Sequence, residues 1–182
     1  MPCFTFETSR LLLRPPGPED VASIAAQMND WDVVKNLSRA PFPYGEVHAR
    51  DFLARQEDGR ARGADFAFAA TRKADSVLIG MCGVHLRETG FELGYWFGRS
   101  HWGQGYATEA AGEVLGFAFR NLRAERVDAG WFHDNPASGR VLEKLGFVPD
   151  GIAERDCLAR GHAVLCHQVV MSREMFAQCE AA

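Results

Sequence analysis

Three runs of β-forming residues follow one another with almost nothing between them: Asp65 to Arg72, Val77 to Arg87 and Phe91 to Phe97. The joints are short and polar or carry glycine, as at Gly90. Connections that short reverse the chain, because a parallel crossover needs a dozen or more residues. The middle of the chain is therefore predicted as an antiparallel meander, and everything before and after it must pack on that sheet.

Upstream, Arg10 to Arg14 reads as a short apolar strand stopped by Pro15, Pro16, Gly17 and Pro18, and Glu19 to Met28 carries Val21, Ile24, Ala25 and Met28 at helical spacing. Asn29 to Gly45 is aromatic and turn-rich, with Trp31, Phe42 and Tyr44 around Pro41 and Pro43, and suits a lid; a helix is expected from Glu46 to about Glu57. Downstream, the pattern predicts a helix over Thr108 to Asn121, a strand over Arg126 to Phe132 and a helix over Pro136 to Leu145 ended by Gly146. Two further strands are expected, Phe147 to Arg155 and Ala163 to Met171. The sum is one mixed α/β domain over residues 1–182, with a mostly antiparallel sheet of six or seven strands flanked by helices.

Composition narrows the function. The 24 Asp and Glu against 20 Lys and Arg give a net charge of −4, a poor balance for gripping phosphate backbones, so nucleic acid is not an expected partner. No apolar run reaches the roughly 18–20 residues of a membrane helix, and Glu7 and Arg10 interrupt any secretory core, so neither membrane nor export is expected and a cytoplasmic protein is. The five cysteines, Cys3, Cys82, Cys157, Cys166 and Cys179, lack paired spacing and read as reduced thiols. No histidine stands at metal-ligand spacing, so no metal is expected.

The chemistry concentrates in Trp102-Gly103-Gln104-Gly105-Tyr106-Ala107-Thr108. Two glycines at the start of a helix let successive backbone N–H groups turn toward one point, which suits an anion. The loop lacks the lysine of nucleoside triphosphatases. It also lacks the third glycine of a dinucleotide fingerprint, whose place Thr108 takes, and it follows antiparallel strands, which disfavours a nicotinamide enzyme. Just downstream, His133 to Ser138 runs from a strand into a helix, with Asn135 as N-cap and Pro136 at the first helical position.

Leu93-Gly94-Tyr95-Trp96-Phe97, His101 to Ala110 and Asn135 to Phe147 together resemble the GNAT N-acetyltransferases, in their RimJ/RimL-like branch. Thr8 to Arg14, Pro41 to Tyr44 and Gln168 to Met171 extend the likeness more loosely. The resemblance implies a GNAT-like fold and acetyl-CoA, with its pyrophosphate on the backbone of residues 102–108. It also implies a splayed strand end at Tyr95, Trp96 and Phe97 that pairs with the pantetheine arm, and a cofactor-facing Asn135 and Ser138. Where the family often has Arg or Gln, this chain has Trp102, with Arg99 or His101 as substitutes. Tyr95 and Phe97 share a strand face that suits core as well as cofactor wall, Trp96 shares the other with Glu92, and Gly94 suits a bulge.

Acetyl transfer needs a neutral amine, an oxyanion donor and a proton for the departing thiolate. Glu92 is the first candidate for the base and His85, on the neighbouring strand, the second. Leu142 stands where many relatives have an acidic tyrosine, which leaves Ser138 as the implied acid; its hydroxyl could equally bond the helix cap. Trp31, Tyr44, His85 and Glu92 are candidates for the acceptor cleft, and the mild acidity of the chain favours a cationic amine. The acceptor is a protein N-terminus or a small amine. The reading from another class is an acyl-CoA-binding sensor that transfers nothing. A homodimer could form through edge strands or the late β segment.

Overall fold

The computed structural model describes residues 4–181. β1 (Phe6–Glu7) and β2 (Leu11–Arg14) lead into α1 (Val21–Met28), α2 (Trp31–Val34) and α3 (Glu46–Ala61). The meander β3 (Asp65–Arg72), β4 (Val77–Arg87) and β5 (Gly90–Phe97) follows, then α4 (Tyr106–Arg120) and β6 (Arg126–Phe132). The chain closes with α5 (Pro136–Lys144), β7 (Val148–Cys157), β8 (His162–Ser172) and α6 (Arg173–Ala181). One sheet results, ordered β1-β2-β3-β4-β5-β6-β8-β7, and every neighbouring pair is antiparallel except β5 and β6.

The sheet has eight strands, one more than the upper expectation, because the two-residue β1 is too short to show a period. Aromatic packing holds it: Phe6 lies 5.4 Å from both Phe68 and Phe117, and Phe4 lies 4.8 Å from Phe117. The short α2 and the terminal α6 were likewise outside the predicted set, α4 starts two residues earlier than expected, and α3 runs on to Ala61.

Alternation in β3 builds both layers. Phe66, Phe68 and Ala70 face α4, while the small Ala67 and Ala69 face α1 and α3. Small residues on that second face let α3 approach closely, and a Cβ on Gly59 of α3 would collide with the carboxylate of Asp65. Cys82, Cys157 and Cys166 are buried and Cys179 is exposed, all four as free thiols; Cys3 lies outside the described residues. Among the described residues no helix is long and apolar enough to cross a membrane.

The pairing of β5 with β6 positions everything that follows. It spans only Phe91 with Val127 and Glu92 with Asp128, after which the two strands part. β6 is secured instead by β8, from Arg126 opposite Ser172 to Phe132 opposite Cys166. A gap therefore opens between the C-terminal halves of β5 and β6, with the start of α4 beside it. The bulge expected at Gly94 is absent: β4 and β5 stay in register throughout, and Gly94 faces Gly83. A Cβ on Gly94 would meet nothing within 4 Å, so the glycine leaves open space at the gap.

Candidate active site

The glycine loop has the conformation its sequence requires. Gly103 and Gly105 adopt φ of 73° and 81°, the left-handed region that costs a residue with a Cβ roughly 1–2 kcal/mol. Gly105 caps α4. From Gly103 to Thr108 no backbone N–H finds an acceptor among the described residues, so a row of donors gathers at the positive end of a fifteen-residue helix.

A clamp invisible to local reading fixes that loop. Glu109 accepts from Thr8 Oγ1 at 2.6 Å, Ser9 Oγ at 3.0 Å, the Arg10 amide at 2.8 Å and Arg10 Nε at 2.7 Å. Arg10 also donates to the Gln104 carbonyl at 2.9 Å and lies 4.4 Å from the centre of the Tyr106 ring. Burial would raise the Glu109 carboxyl, but these donors hold it below the usual carboxylate range. Trp102 ties the other end of the loop, its indole donating to the Phe97 carbonyl at 2.7 Å. The Gln104 side chain folds back to the Ser100 carbonyl at 3.1 Å and leaves the cleft. Arg99 is engaged by Asp32 at 2.8 Å, so of the two proposed stand-ins only His101 lines the cleft.

That cleft, about 1430 Å³, joins the loop, the β5–β6 gap and the segment between α2 and α3. Tyr106, Ala107 and Thr108 line it beside Tyr95, Asn135 and Ser138. Asn135 caps α5 by accepting from the Ser138 amide at 3.4 Å. The Ser138 hydroxyl is therefore not the capping group; it meets the Tyr95 hydroxyl at 2.8 Å across the gap. Burial pushes the Tyr95 phenol well above its ordinary range, so it holds its proton. Phe97 turns into the α4-side core and Trp96 packs with the opposite layer, so their side chains serve as walls. Leu142, at the position of the missing tyrosine, is 1% exposed.

On the α3 side of the sheet, register brings Asp65, His85 and Glu92 side by side: Asp65 pairs with His85, and His85 with Glu92. His85 Nδ1 stands 2.6 Å from Asp65 Oδ1. A carboxylate only accepts, so Nδ1 carries the hydrogen and Nε2 of the neutral ring is left with a lone pair. Burial lowers the His85 pKa, against the raising pull of Asp65, and keeps the ring neutral near pH 7. Glu92 is otherwise employed. Arg155 pairs with its Oε1 and Arg87 Nε with its Oε2 at 2.8 Å; burial would raise this carboxyl, and the two guanidinium groups hold it below the usual range.

Two acceptor-side expectations change. Trp31 stands outside the cleft, 42% exposed and edge-on to Phe42 at 5.3 Å, because the two rings shield each other instead of facing the site. Tyr44 does line the cleft but is buried, its phenol pushed by desolvation up to about 12. The net charge of −4 also misleads locally: Arg39 and Arg55 line the cleft with no hydrogen bond or ion pair among the described residues. Asp65, Arg39 and the Arg10–Glu109 clamp were missed as site residues; the one available hint was the polar Asp65 at the head of an otherwise apolar strand.

Comparison with known proteins agrees with this geometry. The acetyltransferase (GNAT) domain pattern matches residues 10–148. An uncharacterized N-acetyltransferase, p20 of Bacillus licheniformis, is 31% identical over 163 residues, covering 88% of this chain and 91% of its own. Among solved structures, the ribosomal-protein-S5-alanine acetyltransferase of Vibrio fischeri superposes with a TM-score of 0.81 at 18% identity, over 94% of this chain and 97% of that one. Mycobacterium smegmatis RimJ in complex with CoA-disulfide superposes with a TM-score of 0.79 at 18% identity, over 93% and 89%. A domain pattern that spans the glycine loop and the parted strands alike, and a relative matched almost end to end, lead to one conclusion: this chain is an acetyltransferase of the GNAT family.

Proposed function

We propose that the protein moves the acetyl group of acetyl-CoA directly to a primary amine, on a protein N-terminus or a small molecule. The observation that carries this reading is the row of unpaired N–H groups from Gly103 to Thr108, opening into the same cleft as the β5–β6 gap. Such a row fits a pyrophosphate, and strand backbone freed of its neighbour beyond Glu92 fits an extended amide-bearing arm. Family membership and the CoA-bound RimJ structure support the same cofactor. Acetyl-CoA would supply the acetyl group as an activated thioester.

The residues divide the proton work. Of the two bases left open by sequence, His85 is favoured: its Nε2 is free to take the proton of the incoming amine, while Asp65 fixes ring and tautomer. Glu92, with each oxygen on an arginine, orders Arg87 and Arg155 instead. Ser138 Oγ is the proton source for a departing thiolate and regains its proton from water in the open cleft, while the Tyr95 hydroxyl, which keeps its own, orients it.

Titration calorimetry with acetyl-CoA tests the reading. Saturable binding is expected for the wild type. It should be lost in Gly105→Glu, which forces a side chain onto a φ of 81° and sets a carboxylate among the phosphate donors. Circular dichroism checks that the variant folds. No binding to the folded wild type, or undiminished binding to the variant, would overturn the proposal.

A further inference from the structure

The acceptor end of the cleft carries more positive charge than its own residues satisfy. Arg39 lies in the connection between α2 and α3, and that connection is pinned from outside. The Leu158 amide donates to the Ser38 carbonyl at 3.0 Å, and Arg160 Nε donates to the Lys35 carbonyl at 2.8 Å. The Arg39 guanidinium is thus presented from a fixed backbone. It stands exposed at the cleft wall, within electrostatic reach of Arg87, Glu92, Asp65 and Arg55.

Neither nearby carboxylate is free to neutralise it. Both Glu92 oxygens are held by Arg87 and Arg155, and Asp65 is engaged by His85. Asp51, one helical turn before Arg55 on α3, also lines the cleft and pairs with neither arginine. A guanidinium at the cleft wall with no ion pair among the described residues is open to a ligand, and its planar fork of donors matches a carboxylate. It lines the same cleft as the proposed base, His85.

We propose that Arg39 receives an anionic group of the acceptor, so that the substrate is a small primary amine bearing a carboxylate near its nitrogen, an α-amino acid in preference to a protein N-terminus. A free amino acid brings amine and carboxylate into the cleft together, and both His85 and Arg39 line it. A peptide N-terminus offers a neutral amide at that place and leaves Arg39 unpaired. This inference rests on the acetyl-transfer reading.

The test measures acetyl transfer from acetyl-CoA to the twenty free amino acids, their carboxamides, 2-aminoethylphosphonate and a set of N-terminal peptides, some with an acidic second residue. The expected result is transfer to one or more free amino acids, with a kcat/KM about 10- to 100-fold above that of the matching carboxamide, the range of a charge-assisted hydrogen bond. Arg39→Gln should erase that preference by raising KM for the amino acid. Its rate on the carboxamide should change far less than its rate on the amino acid, its acetyl-CoA affinity should hold, and Arg39→Lys should restore part of the preference.

Equal or better rates on carboxamides or peptides, a preference for the phosphonate over every carboxylate, or an equal loss on all acceptors in Arg39→Gln would each overturn the inference. So would the absence of transfer to any anionic amine. Calorimetry with acetyl-CoA then separates the cases: retained binding leaves the proposed function standing, and lost binding removes both.

Discussion

Replacing His85 with glutamine removes the proposed proton acceptor, the Nε2 lone pair, while keeping a polar side chain of similar reach for Asp65. The size of the effect follows from what the base does. The amine of a free α-amino acid titrates between a peptide N-terminus (about 8) and a lysine side chain (about 10.4), so at pH 7.4 only about one molecule in 10² is neutral without help. His85 lets the enzyme use the protonated majority, and its loss should lower kcat/KM at that pH by about 10²-fold, at the low end of the roughly 10²–10⁴ range of general-base catalysis. The deficit should then shrink about tenfold for each unit of rising pH as the amine deprotonates in solution. The wild type should lose activity only on its acid limb. Burial lowers the His85 pKa, so that limb falls below the ordinary histidine value of 6.5, and the profile above it should be flat until the amine titrates. Asp65→Asn should move the acid limb to still lower pH, because Asp65 raises the pKa, and should reduce the rate through the wrong tautomer. Stopped-flow or thiol-release assays across pH 5.5–9.5, for wild type, His85→Gln and Glu92→Gln, decide the matter. A His85→Gln enzyme with a flat profile and near-normal rate, beside a Glu92→Gln enzyme whose rate climbs with pH, would refute the assignment and return the base to Glu92.

Ser138→Ala and Tyr95→Phe should each slow turnover, and because their hydroxyls form one 2.8 Å contact the double variant should be little worse than Ser138→Ala; additive losses in a double-mutant cycle would mean that the two act separately. Glu109→Gln should loosen the clamp on the glycine loop and raise the acetyl-CoA Kd about tenfold, the equivalent of one charge-assisted hydrogen bond, with calorimetry as the readout and an unchanged Kd as the contrary result. Asp20 is 3% exposed, holds Arg14 at 2.7 and 2.8 Å and accepts from the Gly17 amide, so Asp20→Ala should cost about 3 kcal/mol in urea unfolding; a loss under about 1 kcal/mol would show the pair to be dispensable.

What could be read from the sequence was what local backbone chemistry determines. Gly103 and Gly105 announce a turn because only glycine accepts their φ cheaply, and Asn135-Pro136 announces a helix start because the cap and the missing N–H belong there. The groups that escaped notice are joined across the chain. Arg10 meets Glu109 over 99 residues, and Glu92 meets Arg155 over 63. Neither pair has a local signature, and the overall charge of −4 averaged away the unpaired arginines in the cleft.

The Asp65–His85 pair shows why even an accurately read meander falls short. At the β3–β4 turn Arg72 pairs with Val77 and Thr71 with Leu78, and continuing that count would set Asp65 opposite Val84. The ladder slips at Ala70, which pairs with Gly80, so Ile79 is an extra residue and Asp65 arrives opposite His85. A slip of one residue moves every later side chain to the other face, so the bulge is what turns His85 toward the acceptor cleft. Ile79 itself is fully buried in the α4-side core, and Gly80 beside it has no room for a Cβ against the Trp96 carbonyl, which fixes the slip in place. Two variants separate packing from register. Ile79→Ala should cost about 2–5 kcal/mol of stability yet keep the His85 pH profile. Deleting Ile79 should straighten the ladder, carry His85 to the wrong face and leave only the rising, base-free profile of His85→Gln in whatever fraction still folds. A deletion variant with the wild-type acid limb would mean that the register is held elsewhere.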